Sequence, residues 1–195
     1  MRSATVVLLL SALFLAACSS PTPAATEGYS LDTRTGLPDV DPVLAAVVRG
    51  DPEELRSLIQ YTNAPCTRKD GLGGPPKCQE GETEGTMLEV LPFLGAEGSF
   101  IRRDEIINWP GIDASALYAV FGVGEKATRE QYYLPGEYVA LFLQKDNKNG
   151  VVLHITDGRI VRVDTMFMGS ADPFAGFIEQ DSLDTAKVIL APKIR

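Results

Sequence analysis

The spacing of apolar and polar positions changes along the chain, and each change marks a different kind of segment. Residues 4–15 are almost unbroken apolar, with Thr5 and Ser11 the polar interruptions. Residues 19–39 lose all periodicity and turn to Ser, Pro, Thr, Ala and Gly, a composition that cannot bury enough apolar surface to offset the entropy of ordering it. From Asp41 the spacing becomes helical. Asp41-Pro42 supplies an N-cap and a proline at the first helical position, Val43, Leu44, Val47 and Val48 form a stripe, and Gly50 stops it. Asp51-Pro52-Glu53-Glu54 repeats the start with a capping-box acid, and Leu55, Leu58 and Ile59 continue the buried face. The pattern predicts a helical hairpin over 42–61.

Beyond it the period shortens. Residues 86–94 read as a strand, with Gly95 and Gly98 turning the chain, and 103–109 as a short helix ended by Pro110. Residues 117–123 suit a strand, while a helix over 113–120 stays open because the apolar run fits both periods. Residues 137–144 are β-rich, 183–191 add a last short element, and 151–168 form a hairpin turning at Asp157-Gly158. These elements place the chain in the α+β class.

A two-residue turn at Asp157-Gly158 fixes the expected register. It pairs Thr156 with Arg159, Ile155 with Ile160, His154 with Val161, Leu153 with Arg162 and Val152 with Val163. His154 then shares a face with Val152, Val161, Val163 and Phe167. Arg162 and Asp164 fall on the other face, with Val151, Leu153, Ile155, Ile160 and Met166, where they can pair as partly buried charges. Neither face is plainly polar, so both are expected to be covered at least in part.

The first eighteen residues carry an address. Arg2 precedes the apolar run, and Leu15-Ala16-Ala17-Cys18 follows it. The run falls short of the ~20 residues that span a bilayer. The segment resembles the bacterial lipoprotein signal, whose lipobox is an aliphatic residue, two small residues and Cys. The resemblance implies cleavage before Cys18, lipid on its thiol and attachment of the mature chain to a membrane outside the cytoplasm. The organisation expected is a signal peptide over 1–17, a lipidated Cys and flexible linker over 18–39, and a single domain over 40–195. The 195 residues suit one domain plus such segments.

Charge and cysteine use narrow the possibilities. Formal net charge is −8, and loss of Arg2 leaves 17 basic against 26 acidic residues, or −9. Nucleic acid is therefore not an expected partner, since neutralising phosphates takes clustered Lys and Arg. With Cys18 committed to lipid, Cys66 and Cys78 remain as a pair around a Gly/Pro-rich loop. An oxidising compartment makes them an expected disulfide, worth ~3 kcal/mol on the chain-entropy account. One His and no Asp-x-Asp-x-Asp-Gly loop provide no metal motif. The acids Asp39, Asp41, Glu80, Glu82 and Glu84 are read as solvated, and no cofactor is expected.

The run Val-Val-Arg-Gly-Asp-Pro-Glu-Glu-Leu at 47–55, with Asp-Gly-Arg-Ile-Val-Arg-Val at 157–163, resembles the nuclear-transport-factor-2-like superfamily, which includes polyketide-cyclase-like and ketosteroid-isomerase-like proteins. The resemblance implies a helical hairpin packed on a curved, mostly antiparallel sheet, cone-like and enclosing a pocket. Its catalytic Tyr and Asp positions find no counterpart here. The competing expectation is another α+β domain of sheet and helix.

His154 is the one candidate acid or base near neutral pH; the reading as a hydrogen-bonded core or rim His stands beside it. No Gly-x-Ser-x-Gly elbow accompanies it, and Gly122 to Thr128 lacks phosphate-loop spacing. Trp109, Tyr132, Tyr133 and Tyr138 are candidate contacts for a ligand or partner, with sheet packing as the alternative. Three functions follow. One is a membrane-anchored, non-enzymatic binding or accessory module of the cell envelope, taking an envelope protein or a small apolar ligand. Another is an isomerase- or cyclase-like enzyme using His154 or a carboxylate as base. The third is a structural envelope protein touching a membrane partner through the 66–78 loop, with Leu72, Pro75 and Pro76 as an exposed patch.

Overall fold

A computed structural model describes residues 28–71, 74–94, 99–124, 131–145, 149–167 and 187–193. The apolar run, the lipobox and Cys18 lie outside the described residues, as do Leu72 and residues 168–186. Two short helices, α1 (Asp41–Arg49) and α2 (Pro52–Ser57), lead into the strands β1 (Thr62–Pro65), β2 (Met87–Leu94), β3 (Ser99–Arg102), β4 (Ala114–Gly122), β5 (Tyr138–Gln144), β6 (Asn149–Thr156), β7 (Arg159–Phe167) and β8 (Val188–Leu190). A 3-10 turn, Ile106–Asn108, stands where the short helix before Pro110 was expected. At 113–123 the strand reading holds and the helical one does not.

The expected α+β fold with a helical hairpin on a cone-like antiparallel sheet is not the one observed. Strand outweighs helix by 43% to 15%, and one large mixed sheet of eight strands dominates the described residues. Its order is β1-β2-β7-β6-β5-β4-β8, with β3 also on β2. The helical start signals were real but short-lived. Gly50, at φ 64°, ends α1, and Asp51 caps α2 by accepting from the Glu53 N–H. The chain then extends at once: Leu58 O accepts from Ile160 N and Gln60 N donates to Ile160 O, so residues 58–60 run parallel beside β7. That pairing takes the residues that would have finished a second helix. Asp41 is not the cap of α1 either. Val40 occupies that position, and the Asp41 carboxylate reaches back to the amides of Thr35 and Gly36.

The mixed character comes from β2, which pairs antiparallel with β1 and β3 and parallel with β7 at Phe93 and Leu94. Strands β4 to β7 form an antiparallel meander that is apolar on both faces. Along β5, Ala140 and Phe142 join one core with Leu153, Ile155, Ile160 and the α1 residues Val43, Leu44 and Val47. Val139, Leu141 and Leu143 join the other, with Tyr118, Phe121 and Val152. Burial on both sides explains why these strands read as near-continuous apolar runs. Tyr29 pairs with Leu117 on β4, and its hydroxyl donates to Ala191 O. No helix among the described residues is long and apolar enough to cross a membrane.

Candidate functional site

The β6–β7 hairpin turns at Asp157-Gly158 as expected, with φ 49° and 70°, the positive values a type I′ turn requires. Its register holds for Thr156 opposite Arg159 and Ile155 opposite Ile160, then shifts by one. The shift is a β-bulge that takes up Val161 and sets His154 opposite Arg162, Leu153 opposite Val163 and Val152 opposite Asp164. The physical reason lies in the pattern after Ile160. An unbulged strand would drive Arg162 and Asp164 into the larger core beside Leu153 and Ile155. One extra residue turns both charges to the opposite face and brings Val163 inward instead.

That slip assembles a charged cluster which unbulged pairing would have kept apart. His154 Nε2 lies 2.9 Å from Asp164 Oδ2. Arg162 donates from Nε to Oδ1 at 2.8 Å and from a terminal nitrogen to Oδ2 at 2.6 Å. His154 Nδ1 donates to Pro135 O at 2.6 Å, since a carbonyl oxygen can only accept. With Arg162 donating to both Asp164 oxygens, the carboxylate is an acceptor toward Nε2 as well. Burial pushes the Asp164 carboxyl up, but the charge and hydrogen bond of His154, followed by those of Arg162, outweigh it and leave it below the ordinary value. His154 is 1% exposed and lines none of the clefts of about 680, 540 and 390 Å³.

Cys66 and Cys78 form the expected disulfide, with Cα atoms 4.8 Å apart. The loop they close is tied down by carboxylates. Glu84 accepts from the Thr67 hydroxyl and the Arg68 amide, and Glu82 forms a bidentate pair with Arg102. The Arg102 hydrogen bonds, aided by the Gln79 amide, hold the Glu82 carboxyl at about 2. Cys66, Cys78 and Glu82 lie close together, but the two sulfurs are bonded to each other and offer no thiolate. Pro76 is buried and Pro75 half-buried. Residues 65–67, 69–71, 74, 75, 77, 84 and 85 line a cleft of about 390 Å³.

Comparison with protein-family models, with curated proteins and with solved structures finds no match for this chain.

The aromatic candidates do not converge. Trp109 is buried in the larger core and Tyr138 packs against it. Tyr133 is buried against Phe100, ring centroids 4.9 Å apart, and Tyr132 is half-buried. A different group of residues does converge. Arg56, Arg103 and Arg159, with Tyr61 and Glu53, line a cleft of about 680 Å³ between α2, the start of β7 and the turn after β3. Arg103 stands 5.3 Å over the Tyr61 ring and pairs with Glu89. Burial raises the Tyr61 hydroxyl above its ordinary value despite the Arg103 and Arg56 charges. The sequence reading missed this cleft because its arginines stand 47 and 56 positions apart, in no motif.

A third cleft, about 540 Å³, is lined by Met87, Leu88, Glu89, Arg102, Arg103 and Asp104.

Proposed function

We propose that the protein is an extracytoplasmic lipoprotein, anchored through lipid on Cys18, that presents its sheet domain as a non-enzymatic binding or accessory module of the cell envelope. The observation that carries this reading is Leu15-Ala16-Ala17-Cys18 at the end of the twelve-residue apolar run 4–15 behind Arg2. The Cys66–Cys78 disulfide supports it, because such bonds persist outside the reducing cytoplasm. Several acyl chains on one Cys, at ~0.8 kcal/mol per buried CH₂, hold a protein at a membrane without a spanning helix.

The non-enzymatic part rests on His154. A general base needs a free lone pair within reach of substrate. Here both ring nitrogens are engaged, by Pro135 O and Asp164, at 1% exposure. The cluster is suited to holding β6, β7 and the 133–137 loop together. Fractionation of a bacterial host tests the anchoring. The wild-type protein is expected with the membranes and released by detergent but not by high salt, and Cys18→Ser is expected to lose that behaviour. Wild-type protein in the soluble fraction would refute the proposal.

A further inference from the structure

The Arg56–Arg103–Arg159 cleft is a concentration of positive charge on a chain whose formal charge is −8. Two of its guanidiniums are fixed without being neutralised. Arg56 donates to Pro52 O at 2.9 Å and to Ile107 O at 2.6 Å, and Arg159 donates to Ser57 O at 2.7 Å. Neither forms a salt bridge with a carboxylate among the described residues. Main-chain carbonyls orient these side chains in advance but leave their charge and further N–H donors available. Little side-chain entropy then remains to be lost on binding. Arg103 is paired with Glu89, and Glu53 is the acid among the lining residues, so two unpaired guanidiniums stand against one carboxylate. At about 680 Å³ the cleft has the size of a small-molecule site. Half-buried Tyr61, capped by Arg103, gives it a flat wall.

We propose that this cleft binds a phosphomonoester, its phosphate oxygens taken by Arg56 and Arg159 and its organic part lying against the stacked Tyr61 and Arg103 side chains. Forked guanidiniums match phosphate oxygens two at a time, which a point-charge cation cannot do. The phosphate comes from a soluble metabolite or from the headgroup of a phosphatidate lipid, two sources with the same monoester chemistry at this site. The inference does not depend on the anchoring of Cys18.

The test is calorimetric titration of the full chain in neutral detergent with glycerol phosphate and, separately, with dihexanoyl phosphatidate. Saturable binding that weakens as NaCl rises is expected, with at least a tenfold loss of affinity in Arg159→Gln at an unchanged melting temperature. Tighter binding of the phosphatidate by tenfold or more assigns the lipid headgroup, and comparable affinities assign a soluble ligand. Both support the site. If Arg159→Gln does not fold, Arg159→Lys, which keeps the charge and loses the fork, is expected to weaken binding threefold or more. Absence of saturable binding to either probe, or wild-type affinity in the folded Arg159 variant, would overturn the proposal.

Discussion

Asp164 joins His154 and Arg162 where solvent is excluded, so the three stand or fall together. Removing one partner of a buried charge cluster leaves the others uncompensated and costs ~3–5 kcal/mol. Asp164→Asn is expected to lose that amount in urea unfolding, whereas Asp104→Asn, on an exposed carboxylate 3.4 Å from Arg102, is expected to change stability by less than ~1 kcal/mol. The cluster also predicts a pH dependence. The Asp164 carboxyl lies below its ordinary 3.8 in the folded protein. Its stabilisation is therefore complete above about 3.8 and lost as pH falls through the lower folded value. Thermal melts between pH 5 and 2 are expected to show a steeper fall for wild type than for Asp164→Asn. A parallel fall would mean that the carboxylate is not coupled to folding. His154, Arg162 and Asp164 were each visible in the sequence. What the alternation could not reveal was the bulge at Val161, because a single inserted residue reverses every later side chain without altering composition.

At the scale of elements, two features fix how segments meet. The disulfide closes a loop that Glu84 also holds, through the Thr67 hydroxyl and the Arg68 amide, beside the main-chain bonds from Thr67 N to Pro76 O and from Cys78 N to Thr67 O. The double variant Cys66→Ser/Cys78→Ser is expected to lose ~3 kcal/mol in chemical denaturation, and wild type under reductant is expected to match it. Gly136, at φ 74°, presses its backbone against β6, where an added Cβ would stand 2.9 Å from Ile155 N. Gly136→Ala is expected to destabilise the protein by more than ~1 kcal/mol through both backbone strain and crowding, and also to loosen the adjacent Pro135 carbonyl from His154. A stability equal to wild type would contradict that packing. The hairpin turn and the helix ends were legible because Asp157-Gly158, Gly50 and the capping Asp51 act locally, and β2 and β4 to β7 were legible as apolar runs, whereas β1 and β3 were not. The helical hairpin failed because Leu58 and Ile59 suit either a helix face or a strand, and the hydrogen bonds offered by distant Ile160 decided between them. Parallel pairing of β2 with β7, across some seventy residues, leaves no local trace at all.

For the whole molecule, we propose that the lipobox holds this acidic domain, its sheet buried on both faces, at a membrane by its N-terminus. The candidate phosphate cleft brings together α2, β7 and the turn after β3, so it exists only once the sheet has formed. That explains why no stretch of sequence announces it. Lipid anchoring at Cys18 is decided by intact-mass and N-terminal peptide analysis of protein purified from bacterial membranes. The mature chain is expected to begin at Cys18, its sulfur carrying diacylglycerol. A mature chain that begins elsewhere, or one that begins at Cys18 with a free thiol, would contradict it.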